Sequence, residues 1–481
     1  MTLTDIQALL PLVVIGYASV LVLVIGAFWR SRLGVSILAL VSLAAAFSTI
    51  FAALPRTPRQ VSPLLRMDAL ALFYIGLFIL GGFAIAVFAH DYLRTRPRGS
   101  EKFYALLLLA LLGMGVLAAS SHFASFFIGL ETLSVALYGL IGYTLGRKAS
   151  LEASLKYLVL AGASVSFLLF GMALVYFEYG TMEFPALAHA VRAGADLLSP
   201  LVFVGLGLIL VGFAFKLALV TLHTWAPDVY QGAPAPISAL IATGSKAAVF
   251  ALMLRFLTVL GIKELGSLFL LLEVLAILTM FGGNLLGLLQ RNLKRLLAYS
   301  SIAHMGYLLI PLLAGGGQGA SSFAFYFVSY FITTIGAFGV VSILSTPDRE
   351  LENLEDYYGL GFRRPWLGAA LGLMMLSLAG VPPTVGFIAK FYIFTAAAHS
   401  SLWMLLVIGV INAGIAAYYY LRVLVAIYIR PAPEQAAWAA PRPGSAVGLA
   451  VLSALVVILG VYPTPLISLA AQTWQFWVGA P

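Results

Sequence analysis

Runs of about 20 apolar residues follow one another along almost the whole chain of 481 residues. They are centred near Ile15, Ala44, Leu80, Ala110, Ala136, Leu169, Leu210, Val249, Leu278, Leu308, Ile335, Gly380, Val410 and Leu455. A backbone surrounded by lipid must satisfy its own hydrogen bonds, so uninterrupted runs of this length predict helices. The sequence therefore predicts an all-α polytopic membrane protein with about 14 transmembrane helices.

Composition excludes several other classes of protein. Hydrophobic residues make up 62% of the chain and charged residues 9%, against about 25% charged in an ordinary soluble domain. Cysteine is absent, which excludes disulfides, thiolate metal sites and cysteine-ligated iron–sulfur clusters in this chain. We expect no metal site and no bound cofactor here.

The basic residues predict the orientation in the membrane. Most basic residues lie in the loops after the odd-numbered runs, and Arg422 lies near the same side. The residues in these loops are Arg30, Arg32, Arg94, Arg96, Arg98, Lys102, Arg147, Lys148, Arg291, Lys294, Arg295, Arg349, Arg363, Arg364, Arg430 and Arg442. Loops after the even-numbered runs carry only Arg56, Arg59, Arg66, Arg192, Arg255 and Lys263. This bias predicts that the odd loops are cytoplasmic and that both termini lie on the outer side. Basic residues scattered over many loops do not indicate a nucleic-acid partner.

Five charged residues lie inside apolar runs: Glu131, Lys156, Lys216, Lys246 and Lys390. An ionised side chain at the centre of a bilayer costs roughly 2.5–3.5 kcal/mol on insertion scales. A lysine whose carboxylate partner approaches and recedes can act as a proton switch, and histidines such as His223 and His304 can relay protons. These residue types therefore favour proton movement, whereas no hydrolase arrangement and no phosphate-binding loop is present.

A weak internal repeat is visible in the sequence. The pattern Gly-Phe-x-x-Lys ending at Lys216 recurs at Lys390, an offset of 174; Glu131 precedes the first lysine by 85 residues and His304 precedes the second by 86. Each unit holds five helices, an odd number, so the second copy must be inverted in the membrane. We expect three helices in residues 1–100, the first repeat in 101–260, the second in 261–430 and a last helix in 431–481.

Helix breaks are predicted close to two of the lysines. Pro382 and Pro383 must interrupt the run just before Lys390. Non-helical backbone at this depth is tolerated where it is buried in protein or lines a wet cavity. In the first half, His223 follows Lys216 by seven residues, which is two turns along one face if the helix continues.

Four segments resemble a known family along nearly the whole chain. They are residues 129–134 (GLETLS), 151–157 (LEASLKY), 223–236 (HTWAPDVYQGAPAP) and 294–304 (KRLLAYSSIAH). They resemble the antiporter-like membrane subunits, and among them subunit N, of bacterial respiratory complex I, the NADH:quinone oxidoreductase. The chain departs from this family at Thr221, where a proline is usual.

The resemblance implies a role for each charged residue. Glu131 and Lys216 would form the switch of the first half, Lys246 the central relay and Lys390 the terminal lysine of the second half. Lys156, His223 and His304 would be secondary members of the same path. It also implies two discontinuous helices.

The resemblance further implies partners and a location. NADH, FMN, iron–sulfur clusters and quinone would lie in partner subunits, which include neighbouring antiporter-like and small membrane subunits. The chain would be a multi-pass protein of the bacterial inner membrane, in contact with the lipid bilayer. Two alternatives remain open: a subunit of a multisubunit sodium or cation/proton antiporter, and a structural scaffold.

Each candidate residue also has a structural interpretation. Lys156 could be a snorkelling residue near a helix end, and Glu131 could simply hold helices together. His223 and His304 could be hydrogen-bonded packing residues. Glu273, in the ninth run, has no assignment.

Overall fold

The computed structural model describes residues 2–28, 31–94, 101–144, 146–192, 199–261, 266–346, 349–431 and 438–478. It begins with three long helices, α1 Leu3–Phe28, α2 Arg32–Ala53 and α3 Ala69–Arg94. A 3₁₀ turn (Leu54–Arg56) and a small antiparallel hairpin of β1 Arg59–Ser62 and β2 Leu65–Met67 join α2 to α3.

The first five-helix unit follows these three helices. Its elements are α4 Glu101–Ala119, α5 Phe123–Ile141, α6 Lys148–Tyr179, the short α7 Phe184–Arg192, α8 Pro200–Leu217, α9 Trp225–Gly232, α10 Ala235–Leu240 and α11 Lys246–Leu260. A π-helical turn, Ile241–Ser245, links α10 to α11. Helices α8 and α9 together form one discontinuous span, and α10 and α11 form the next.

The second unit has the same plan. Its elements are α12 Gly266–Leu288, α13 Leu293–Ala314, α14 Gly316–Leu344, a 3₁₀ turn Leu354–Tyr357, α15 Leu360–Arg363, α16 Pro365–Ala379, α17 Val385–His399 and α18 Trp403–Tyr428. The described chain ends with α19 Pro443–Val461 and α20 Thr464–Val478.

The described residues contain 13 helices long and apolar enough to cross a membrane. The shorter α16 and α17 add one further, broken span. The prediction of an all-α membrane protein with about 14 spans is therefore confirmed.

The two units begin their second helices in the same way. His122 caps α5 by accepting the N–H of Ala124 at 2.9 Å, and Asn292 caps α13 by accepting the N–H of Arg295 at 3.0 Å. Each cap residue also forms an isolated strand-like bridge, His122 with Glu183 and Asn292 with Asn353. Both members of the second pair lie 170 residues after their counterparts (122 to 292, 183 to 353).

The structure corrects the repeat offset of 174. With the offset of 170 at these caps, Glu131 corresponds to Ser301, and Ser134 corresponds to His304. Lys216 lies in the last turn before its helix break, whereas Lys390 lies after the corresponding break. The shared Gly-Phe-x-x-Lys pattern therefore does not occupy equivalent positions, although the two five-helix units are present.

Both predicted helix breaks exist. Helix α8 ends at Ala218, which has φ 56° and ψ 44°, and α9 begins only at Trp225. Helix α16 ends at Gly380, with φ 85°, ahead of the two prolines. The first break thus forms although Thr221 replaces the usual proline. His223 and Lys216 do not share one helical face, because the helix does not continue between them and the condition for that prediction is not met.

The spans differ in how deeply they are buried. The stretch Ala235–Leu260 is fully buried over its most apolar part, and α13 and α14 are 94% buried there. The corresponding values are 22% for α2 and 33% for α18 and for α19. A central layer of α10, α11, α13 and α14 is therefore shielded from lipid by the other helices.

Two basic residues assigned to loops lie in the interior instead. Arg255 is part of α11 and bonds both carboxylate oxygens of Asp68, at 2.7 and 2.9 Å. Lys294 is 0% exposed and pairs with Glu350. Arg30, Arg96, Arg98 and Lys263, and the side chain of Arg192, lie outside the described part of the chain. The orientation in the membrane stays a prediction.

Candidate functional site: a buried lysine and histidine axis

Lys216 lies at the end of α8, where the helix breaks, and is 3% exposed. Its ammonium donates to the hydroxyl of Ser134 on α5 at 2.6 Å and to Tyr157 on α6 at 3.3 Å. The freed end of a broken helix lets the side chain project between α5 and α6. Lys216 is therefore held by two neutral hydroxyl groups.

Glu131 lies one helical turn before Ser134 on α5. Its Oε1 is buried and has no hydrogen-bond partner among the described residues. No ion pair of the described residues joins it to Lys216. An unpartnered carboxylate oxygen in the interior is costly, so this oxygen is available to a proton or an approaching donor.

Lys246 is the first residue of α11, directly after the π-helical turn, and is 0% exposed. Such turns are frequent at functional sites. The ammonium donates to Ser301 on α13 at 2.7 Å, and Ser301 also lies 3.2 Å from the hydroxyl of Tyr230. Lys246 is thus joined to α13 through one hydroxyl group.

His304 continues the polar row on α13, one turn after Ser301. It is 5% exposed and uses both ring nitrogens. Nδ1 lies 2.7 Å from the hydroxyl of Tyr326, and Nε2 lies 3.2 Å from that of Tyr420. A proton can therefore be passed between two hydroxyl groups through this ring.

Lys390 lies in α17 and is 6% exposed. Its ammonium donates to the carbonyl oxygens of Leu378 and Ala379 at 2.9 and 2.8 Å, which are freed because α16 ends there. At Gly380 a Cβ would lie 2.8 Å from Cδ of this lysine. The second helix break thus supplies both the acceptors and the space for Lys390.

A small cavity connects Lys390 with His304. Both residues line it together with Tyr326, Tyr330 and Ser377. About 10 Å³ of it is open to the centre of a water molecule, which is close to the minimum that holds one. One water there could bridge the imidazole and the ammonium group.

Each of the three lysines of this axis also lies near the ring of a tyrosine. The ammonium groups of Lys216, Lys246 and Lys390 are 5.1, 5.7 and 5.6 Å from the ring centroids of Tyr157, Tyr230 and Tyr307, respectively. A cation is attracted to an aromatic face at such distances. The rings stabilise positive charge without supplying a counter-ion that would hold it permanently.

Two of the predicted residues lie outside this axis. Lys156 is half-exposed and pairs with Glu152 at 2.7 Å and Asp228 at 3.1 Å. His223 is half-buried in the break between α8 and α9, and its Nδ1 is buried without a partner among the described residues. The structure therefore buries Lys216, Lys246, His304 and Lys390 in the interior. Lys156 and His223 are not part of this buried group.

A second cluster of charges surrounds Glu350. Glu350, in the connection after α14, bonds Arg147, lies 3.2 Å from Lys294 and accepts the N–H of Ala235 at 2.8 Å. Burial raises the pKa of Glu350, but Lys294 and Arg147 lower it more, so its pKa lies below the usual range. This cluster ties the connection to α10 and α13.

Sequence reasoning missed the neutral partners of the lysines. Ser134, Tyr157, Tyr230 and Ser301 all lie within the four family-like segments, but nothing assigned them a role. A hydroxyl residue in an apolar run is common, so only its contact with a lysine makes it notable. Within the described residues, no group of three or more His, Cys, Asp or Glu could hold a metal ion.

Known membrane proteins resemble this chain in sequence and in fold. Residues 120–416 match the family model described as NADH:quinone oxidoreductase/Mrp antiporter, transmembrane region. A chain of respiratory complex I from Thermus thermophilus with bound aureothin is 34% identical, with a TM-score of 0.82, over 96% of this chain and 99% of that chain.

Two further solved structures share the fold. A chain of the membrane-bound sulfane sulfur reductase, an archaeal respiratory membrane complex, is 27% identical with a TM-score of 0.86, over 98% of this chain and 97% of the other. A chain of the Mrp complex from Dietzia sp. DQ12-45-1b is 20% identical with a TM-score of 0.85, over the same shares, and this likeness shows the fold alone. The chain belongs to the family of antiporter-like membrane subunits shared by NADH:quinone oxidoreductase and the Mrp antiporters.

Proposed function

We propose that this chain is a proton-translocating membrane subunit of an NADH:quinone oxidoreductase, in the position of subunit N. The observation that carries the proposal is the row of three buried lysines and one buried histidine whose hydrogen bonds go only to neutral groups. A buried ammonium without a carboxylate can release its proton and leave no unpaired anion behind. Such groups can therefore be loaded and unloaded in turn.

The proposed path runs through α13. Protons would enter from the cytoplasmic side and load Lys216 and Lys246. They would then pass from Ser301 along α13 to His304, and through the shared cavity to Lys390. No direct hydrogen bond of the described residues links the Lys216 group to the Lys246 group, so this step requires water or side-chain movement. Exit would follow from Lys390 to the outer side.

Glu131 would set the state of Lys216. Its unpaired oxygen and the Ser134 hydroxyl lie one turn apart on α5, so a rotation of the Lys216 side chain would exchange one partner for the other. An ammonium paired with the carboxylate keeps its proton, whereas one bonded to serine can release it. The structure described here has the serine-bound arrangement.

The energy would come from partner subunits. NADH, FMN, iron–sulfur clusters and quinone would be bound there, and electron transfer would shift the charge at one end of the axis. Neighbouring antiporter-like and small membrane subunits would contact this chain. We place it in a bacterial inner membrane, with both termini on the outer side because of the distribution of basic residues.

The test is Lys246→Met in the assembled complex, reconstituted into vesicles, with Lys148→Met as control. Methionine keeps most of the side-chain volume but cannot carry a proton, and Lys148 lies exposed at the start of α6. We expect Lys246→Met to lose at least about tenfold of NADH-driven proton uptake, as removal of a proton-transfer group typically does. Normal proton uptake per electron in the Lys246→Met complex would contradict the proposal.

A cation/proton antiporter subunit is the second candidate. It is favoured by the family model, which covers both kinds of complex. Proton movement that follows an imposed sodium gradient, and does not need NADH oxidation, would establish this alternative instead. The third hypothesis is that this chain is only a structural scaffold. It predicts full proton uptake in the Lys246→Met complex.

A further inference from the structure

A groove of about 560 Å³ lies where the end of α18 meets the connections before α13 and after α14. Three arginines line it: Arg291, Arg422 and Arg430. Glu355 contributes the single acidic side chain of its lining, which gives the groove a formal charge of +2 (three positive, one negative). None of the groove's lining residues belongs to the lysine axis, and no step of the proposed proton path uses the groove.

The arginines are not neutralised by the protein. Arg291 and Arg430 are exposed, and their side chains hydrogen-bond to no residue that the structure describes. Glu355 forms no ion pair with any of the three within the described residues. Like charges that face one cavity repel each other, so an anion bound between them would be stabilised.

Arg422 is held in place in the groove by backbone carbonyl groups. Its guanidinium donates to the carbonyl oxygen of Leu288 at 2.8 Å and to that of Gln290, just after the end of α12. The buried Nε has no partner among the described residues. One fixed and two free guanidinium groups thus face the same space, and guanidinium groups bind phosphate oxygens in a forked geometry.

The groove adjoins an apolar surface at the membrane. Helices α12 and α18 pack against each other, and large apolar side chains are exposed on α18 and just after the ends of both helices. Leu421 in α18 is 49% exposed, and Leu289 and Ile429, each one residue past the end of its helix, are 74% and 72% exposed. A ligand with a phosphate at one end and hydrocarbon at the other would contact both the arginines and these helices.

We propose that this groove binds the headgroup of an anionic phospholipid, whose acyl chains lie along α12 and α18. A free phosphate could use only the arginines, whereas a lipid also covers the exposed leucines. All three arginines lie on the side of the membrane that is rich in Lys and Arg, where basic residues attract anionic lipids. The inference does not depend on the proton path and holds for any complex that contains this chain.

The experiment uses a photo-activatable phosphatidylglycerol with a diazirine in one acyl chain, added to the intact purified complex. Labelled peptides are identified by mass spectrometry. We expect labelling of the ends of α12 and α18 nearest the groove, and weaker labelling there by the matching phosphatidylcholine probe. The Arg291→Gln/Arg430→Gln double variant should reduce labelling of these peptides on the order of tenfold. Arg422 is left unchanged because it also anchors α12.

The control is the Arg363→Gln/Arg364→Gln variant, which removes two exposed arginines from the same side of the membrane but outside the groove. It should label as the wild type does. Full displacement of the lipid probe by inorganic phosphate would overturn the lipid assignment in favour of a free anion. Equal labelling by both headgroups, or protection of these peptides by a partner subunit in the intact complex, would also overturn it.

Discussion

Lys246 and Lys294 are both 0% exposed, yet their surroundings differ completely. Lys294 has Glu350 at 3.2 Å and the carbonyl oxygens of Gln231 and Ala233 at 2.9 and 2.6 Å. Lys246 has the hydroxyl of Ser301 and the ring of Tyr230. The two lysines are therefore equally buried, but only Lys294 has a carboxylate that compensates its charge.

This difference separates a buried lysine that has a carboxylate partner from one that has only neutral partners. Removing one member of a buried ion pair leaves the charge of the other uncompensated. Lys294 and Glu350 therefore stabilise each other in their charged forms. A lysine bonded to serine leaves only neutral groups when it loses its proton. Burial alone therefore does not distinguish these two lysines; the presence or absence of a fixed counter-ion does.

The largest expected effect is on stability, from Lys294→Met. It leaves Glu350 buried with one cation fewer, and breaking a buried pair costs about 3–5 kcal/mol. We expect a lower unfolding temperature of the purified complex, or loss of this chain from it. Lys246→Met is the matched control and should keep wild-type stability while losing proton uptake. Equal destabilisation by both variants would contradict the comparison.

A smaller effect should appear as a dependence of stability on pH. The folded pKa of Glu350 lies below its ordinary value of 4.5, so its contribution is present above that value and is lost as the pH falls through the lowered pKa. The loss amounts to about 1.4 kcal/mol for each unit of lowering. Thermal unfolding between pH 3 and 7 should therefore show less acid destabilisation in Glu350→Gln than in the wild type. Parallel pH profiles would show that the pair does not hold Glu350 in its charged form.

The smallest effect is expected for Lys156→Met. This lysine is half-exposed and paired with two carboxylates, and exposed pairs contribute about 0–1 kcal/mol. Stability and proton uptake should remain close to those of the Glu152→Gln control. A loss of proton uptake as large as that of Lys246→Met would contradict this expectation. It would indicate that Lys156 belongs to the proton path although it is paired with carboxylates.

Much of the fold and part of the site could be predicted from the sequence. Apolar runs of membrane length allow only helices, and Pro382 and Pro383 cannot continue one. The buried lysines stood out because charge is rare in such runs. The first break was harder to predict, because Ala218 adopts φ 56° without any proline or glycine at that position. Its position depends on packing around the chain.

The sequence by itself determined the class of protein, the number of spans and the identities of Lys216, Lys246 and Lys390, because hydrophobicity and charge act along the chain. Only the tertiary structure decided which charges are paired. Lys294 meets Glu350 from a connection 56 residues further on, and Ser134 reaches Lys216 across 82 residues. Contacts over such separations depend on how the helices pack, and it is those contacts that distinguish a lysine paired with a carboxylate from one whose hydrogen bonds go only to neutral groups.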